Sequence, residues 1–89
     1  MEIEFTIQIW RAGDRYMAHV MPLDVMSGGE TIETARTAAE EAVRNELRTA
    51  RMQGKLIDYL QDHGYSWAAG AWHGPEWLSL EMHSISLES

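Results

Sequence analysis

The sequence predicts an α+β fold: an antiparallel β-sheet in β-β-β-α-(α)-β order with one main helix packed on it. Three observations carry this expectation. Residues 3–9 alternate strictly between apolar and polar, residues 16–21 alternate again, and residues 32–50 place apolar side chains three and four apart. A chain of 89 residues, 45% hydrophobic and 24% charged, suits one globular domain over residues 1–89 with one small core.

Ile3, Phe5, Ile7 and Ile9 fall on one side of the first strand, and Glu2, Glu4, Thr6, Gln8 and Trp10 on the other, the pattern of a half-buried strand. Arg11-Ala12-Gly13-Asp14-Arg15 supplies turn residues, so the next alternating run closes an antiparallel hairpin. Pro22 interrupts the pattern, and Val25, Met26 and Ser27 form a short third strand that Gly28-Gly29 ends. Thr31 caps the main helix, with Glu33 in its first turn where an acid suits the helix dipole. Ile32, Ala35, Ala39, Ala42, Val43, Leu47 and Ala50 share one face, and its alanines let the helix lie close to a sheet. The pairs Glu33 with Arg36 and Glu40 with Arg44 would each add ~0.2–0.5 kcal/mol. Gly54 stops this helix, and a second short helix carrying Leu56, Ile57 and Leu60 ends at Gly64.

Residues 65–72 are aromatic but broken by glycine and alanine, and Gly74-Pro75 marks a turn. A last strand is expected after it. Leu78, Leu80 and Met82 alternate on one side, and Ile85 with Leu87 continue in the opposite phase, which predicts a bulge or strand bend near His83-Ser84.

Composition excludes several functions. Cysteine is absent, so disulfides, thiolate metal sites and cysteine nucleophiles are ruled out, and stability must come from packing or assembly. At this size that favours a homo-oligomer or an obligate partner. A net charge of -7 repels a phosphate backbone and suits a basic protein partner. Glu2 and Glu4 stand where a secretory signal needs bases, and no apolar run is long enough to span a membrane, so the expected location is the cytoplasm.

No catalytic arrangement emerges, and the protein is read as a non-enzyme without cofactor. Gly28-Gly29 lacks the spacing and lysine of a phosphate loop, and no serine sits in a nucleophile elbow. His19, His63, His73 and His83 match no zinc spacing. Arg44, Arg48, Arg51 and Lys55 form a basic stripe if the helix continues that far, either an anion or nucleic-acid site or simply cations near a helix C-terminus. The stripe has no interleaved aromatics for base stacking. Trp10, Trp67, Trp72 and Trp77 are dense for so short a chain and read either as core or as interface anchors.

Gly29-Glu30-Thr31-Ile32-Glu33-Thr34-Ala35, preceded by the Tyr16-Met17-Ala18 strand and Pro22, resembles the HicB-like antitoxin family. Ser27-x-Gly29-x-Thr31 entering an alanine-rich helix, and Glu41-Ala42 at its middle, extend the resemblance over roughly the first 54 residues. The second helix with Gly64-Tyr65 and the Trp77 strand resemble a long variant. The family's usual Leu-Pro-Gly-Cys loop is Leu23-Asp24-Val25-Met26 here. The resemblance implies a partial ribonuclease H-like sheet without catalytic carboxylates. It also implies neutralisation of a small basic HicA-type toxin that cleaves messenger RNA. No C-terminal DNA-binding domain is expected, hence no direct DNA binding.

Two surfaces are therefore expected to make contacts. Trp10, Met21, Pro22, Leu23 and Asp24 would meet a partner, while Trp77, Leu78, Leu80 and Met82 would serve self-association. The alternative reading is a nucleic-acid or small-anion module using Arg44, Arg48, Arg51 and Lys55.

Overall fold

The computed structural model describes residues 1–88. The elements run β1 (Glu2–Ile3), β2 (Thr6–Ala12), β3 (Arg15–Met21), β4 (Val25–Gly29), α1 (Ile32–Met52), α2 (Leu56–Asp62), β5 (Ser66–Ala68) and β6 (Ala71–His73). The α+β class is as expected, but the strands form two three-stranded sheets, ordered β2-β3-β4 and β1-β6-β5. The pairing is not wholly antiparallel either, because β1 runs parallel to β6.

The expected first strand is divided at Glu4-Phe5 because its partner changes there. Glu2 and Ile3 pair with Ala71 and Trp72, whereas Thr6 to Ala12 pair with β3. Glu4 marks the junction: its amide donates to the Trp72 carbonyl at 3.0 Å, and its carbonyl accepts from the Tyr65 hydroxyl at 2.5 Å. Burial, then the nearby Glu4 carboxylate, pushes the Tyr65 pKa up to about 12, so the phenol stays a donor at neutral pH.

The β2–β3 hairpin turns at Gly13-Asp14, with Gly13 at φ 66°, a left-handed conformation that glycine adopts without Cβ strain. Gly28 and Gly29 do not end the third strand as expected but belong to it. Gly29 pairs with Tyr16, and a Cβ there would lie 2.4 Å from Thr34 Oγ1. The start of α1 crosses β4 so closely that only glycine fits.

Thr31 caps α1 as read from the sequence. Its hydroxyl accepts from the Thr34 amide at 3.0 Å, and Thr34 Oγ1 accepts from the Thr31 amide at 2.9 Å, a reciprocal capping box. Ala35, Ala39, Val43 and Ala50 of α1 are buried, and α1 packs chiefly on β4 and β3, where Ala18 and Val20 are fully buried. Ile32, at the start of the stripe, is exposed. Neither Glu33–Arg36 nor Glu40–Arg44 closes as an ion pair: among the described residues, the pairs found join His19, His73 and His83 to carboxylates.

The helix stops at Met52, with Gly54 at φ 70° redirecting the chain. Lys55 therefore leaves the basic stripe and becomes the residue before α2. Leu56 and Leu60 of α2 complete the core with Tyr65 and Trp72. Trp72 is 7% exposed and belongs to the core, whereas Trp67 at 54% and Ala68, Ala69 and Gly70 between them are exposed. Ala69 (φ 51°) and Gly70 (φ 81°) form a hairpin turn that places Trp72 across from Trp67 at a centroid distance of 5.5 Å.

The expected last strand does not form. Residues 74–88 lie in no helix or strand, and the alternation at Leu78, Leu80 and Met82 has no strand beside it within the chain. No bulge at His83-Ser84 arises without a strand to interrupt. Among the described residues, no helix is long and apolar enough to cross a membrane.

Candidate protein-binding surfaces

Strand alternation gives the β2-β3-β4 sheet two unlike faces. Ala18 and Val20 point to α1 and are sealed. Their neighbours point away, and the register sets Trp10 beside Met17, Gln8 beside His19, and His19 beside Met26. Among the described residues, no helix or strand packs on this face. Trp10 is 38% and Met26 51% exposed, while Met17 and Met21 are half-buried. A flat patch of one tryptophan and three methionines is chemically apt for docking: the indole supplies a large rigid anchor, and unbranched thioethers adapt to a partner's contour.

The turn between β3 and β4 borders this face and separates the residues expected there. Met21 and Pro22 are half-buried, and Asp24 is exposed, held by its Oδ1 at 2.6 Å from His19 Nε2. Leu23 is excluded as a contact residue. It is 3% exposed, because the turn drives its apolar side chain into the core while Asp24, at φ 57°, swings outward. Trp10 and Met21 point to the same face, but Trp10 pairs with Met17, four residues along β3 from Met21, so Pro22 and Asp24 lie at the far end of the strand from it. Met17, Met26 and His19 complete the face. Those three escaped the sequence reading because only the cross-strand register brings Met17 beside Trp10 and sets His19 and Met26 in the next row of the face.

Glu4, Phe5, Thr6, Met21, Pro22, Gly74, Pro75 and Trp77 line a cleft at one end of the face. Here His73 clamps β6 to the N-terminal segment, with Nδ1 at 2.8 Å from Glu4 Oε2 and Nε2 at 2.9 Å from the Ala68 carbonyl. Both ring nitrogens meet acceptors, so the doubly protonated ring is favoured. The Glu4 hydrogen bond, then the Ala68 carbonyl, raises the His73 pKa above the usual histidine range. With the folded value above the unfolded one, this contribution is complete below the unfolded pKa and is lost as pH rises through the folded value. NMR titration of the ring should place His73 above a free histidine. In His73→Gln, the part of the wild-type decline in melting temperature that falls in this pH window should disappear.

A second surface lies on the helix side. α1 sits over β4 and β3 and barely reaches β2, leaving a groove of ≈ 850 Å³ between its C-terminal half and the start of the chain. Its floor is Met1, Ile3, Phe5, Val43, Leu47 and Leu56, and its rim carries Glu40, Arg44, Arg48 and Arg51. Three of the four residues of the expected stripe are thus gathered, and none of the three is paired with a carboxylate among the described residues.

Of the residues expected for self-association, Trp77 is 49% exposed at the cleft, and Leu78, Leu80 and Met82 are 86%, 84% and 97% exposed. No cluster of three or more His, Asp or Glu able to hold a metal occurs among the described residues. Comparison with protein-family models, curated proteins and solved structures finds no match.

Proposed function

We propose that this chain is a HicB-like antitoxin of the cytoplasm that binds and neutralises a small basic HicA-type ribonuclease by contact rather than catalysis. The observation that supports it best is the uncovered sheet face with Trp10, Met17, Met21 and Met26, bordered by Asp24 and Glu4, in a chain of net charge -7. Acidic charge speeds encounter with a basic partner, and the Trp-Met patch supplies the desolvated centre that holds it. On this reading the fold is a HicB-like, partial ribonuclease H-like sheet.

The test is calorimetric binding to the small basic protein encoded beside it, with rescue of that protein's growth arrest in cells. Trp10→Ala should weaken binding at least about tenfold, the loss expected for an aromatic anchor. Its own fold should hold, since the indole lies on the open face. Absence of both binding and rescue for the wild type overturns the proposal.

The second reading is a nucleic-acid or small-anion module, favoured by one observation, the unpaired Arg44, Arg48 and Arg51 of the groove. Lys55 no longer belongs to it. It requires RNA affinity that falls with salt and with Arg48→Glu.

A further inference from the structure

Residues 78–83 are extended like a strand but belong to no sheet. Ser79 Oγ donates to Glu81 Oε2 at 2.6 Å, and His83 Nε2 lies 2.9 Å from Glu81 Oε1. These polar side chains therefore share one side of an extended segment. Leu78, Leu80 and Met82 form the other, at 84–97% exposure. Such a bare apolar row is costly to hydrate, about 25 cal/mol per Å².

Among the described residues there is also a strand edge with no strand beside it. Gly74, at the end of β6, abuts Pro22 just beyond β3, a Cβ on it lying 3.3 Å from Pro22 Cδ. β6 and β3 therefore stand end to end on the same side of residues 1–12. Glu4 agrees, turning both its amide and its carbonyl to that side. The opposite edge of β1 and β2 has no strand partner among the described residues. Along it Phe5, Ile7 and Ile9 repeat every second residue and face the helix side, where Phe5 opens onto the arginine groove.

The geometry points to strand exchange between two copies of this chain: the 78–82 segment of one adds to the free β1–β2 edge of the other, and the exchange is reciprocal. Three features select a second copy as occupant. Leu78, Leu80 and Met82 match Phe5, Ile7 and Ile9 in number and spacing, so three cross-strand apolar pairs form in either direction. Charge is complementary, because the chain beyond residue 63 has three acids and no Lys or Arg, and Glu76, in phase with Leu78, would take the side of the groove whose rim carries Arg44, Arg48 and Arg51, whereas Glu81 faces the opposite side. Finally, the segment departs from the β3–β6 side, away from its own free edge. The pairing would remove an exposed edge and an exposed apolar row together, while leaving the Trp10 face open to a different partner. It does not depend on the antitoxin reading.

Native mass spectrometry of the full chain should give the mass of two copies. Leu80→Glu with Met82→Glu should give one copy with an unchanged circular dichroism spectrum, since both side chains are already in solvent. Arg44→Glu with Arg48→Glu should weaken the dimer about tenfold or more at low salt, and less at high salt. Because the chain lacks cysteine, a mixture of Ile7→Cys and Leu80→Cys proteins reports the contact directly. Residues 7 and 80 are the central pair in either strand direction, and oxidation should yield a covalent heterodimer. A monomeric wild type, a dimer indifferent to Leu80→Glu with Met82→Glu, or no crosslink in the mixture overturns the inference. So does an RNA that occupies the groove while the wild type stays a single copy.

Discussion

Gly29→Ala is expected to destabilise the protein by about 3 kcal/mol, adding the usual penalty for overpacking to the loss of a helix cap. The added methyl carbon would stand 2.4 Å from Thr34 Oγ1, 2.7 Å from the Ala35 amide nitrogen and 2.9 Å from the Thr34 carbonyl carbon. Two of those atoms are backbone, so no rotamer change relieves the clash. Either α1 lifts from β4, exposing Ala35 and Ala39, or Thr34 turns away and the capping box with Thr31 opens. Denaturant unfolding should show a lower midpoint, and a melting temperature reduced by more than about 10 °C for a domain of this size. Gly28→Ala is the control. Its Cβ would meet the Met17 sulfur at 3.1 Å and the Tyr16 carbonyl at 3.3 Å, so a flexible thioether takes up most of the strain. Equal losses in the two variants would mean that α1 does not approach β4 this closely.

That same glycine shows where the sequence is legible and where it is not. Thr31, the alanine stripe and Gly54 bounded α1 correctly because capping, periodicity and a left-handed stop are local properties. Gly28-Gly29 looked like a strand terminator because glycine has poor strand propensity. The reason for glycine here is a helix that arrives from five residues later in the chain. Alternation likewise reports which way side chains point but not what lies beside the strand. It placed Ile3 to Ile9 on one face correctly, yet gave no sign that the partner changes at Glu4. It also read residues 78–87 as a strand, which the chain supplies with no neighbour. The Ser66–Ala68 and Ala71–His73 hairpin was hidden for another reason. Its turn rests on Ala69 at φ 51°, a conformation alanine seldom announces.

The candidate surface divides the same way. Trp10 stood out as a large apolar residue on the polar side of its strand, and that anomaly located the open face. The methionines around it carry no such mark. Met17 and Met26 are ordinary strand residues until the Gly13-Asp14 turn fixes the hairpin register and the next turn fixes β4 against β3. Leu23 and Asp24, adjacent in sequence, part company through backbone geometry alone, one entering the core and the other holding His19.

Leu60→Ala should cost about 2–5 kcal/mol, the range for removing a buried leucine without refilling the space. In a domain this small that approaches the whole stability, so a large unfolded fraction is expected at 37 °C. Leu60 is fully buried and ranks among the largest side chains that are. Its position magnifies the effect. The Leu60 carbonyl accepts from the Tyr65 amide at 3.0 Å and the His63 amide at 3.1 Å, so it both ends α2 and sets the path into β5. Loosening it frees Tyr65, whose hydroxyl holds Glu4, and then the His73 clamp on the same residue. The β1-β6-β5 sheet should therefore fail before β2-β3-β4. Trp72, 7% exposed in the intact fold, should show red-shifted fluorescence at lower urea than that needed to lose the far-ultraviolet signal of α1. If both signals change together at an unshifted midpoint, Leu60 is not the anchor of that sheet, and the N-terminal segment draws its hold from β2 alone.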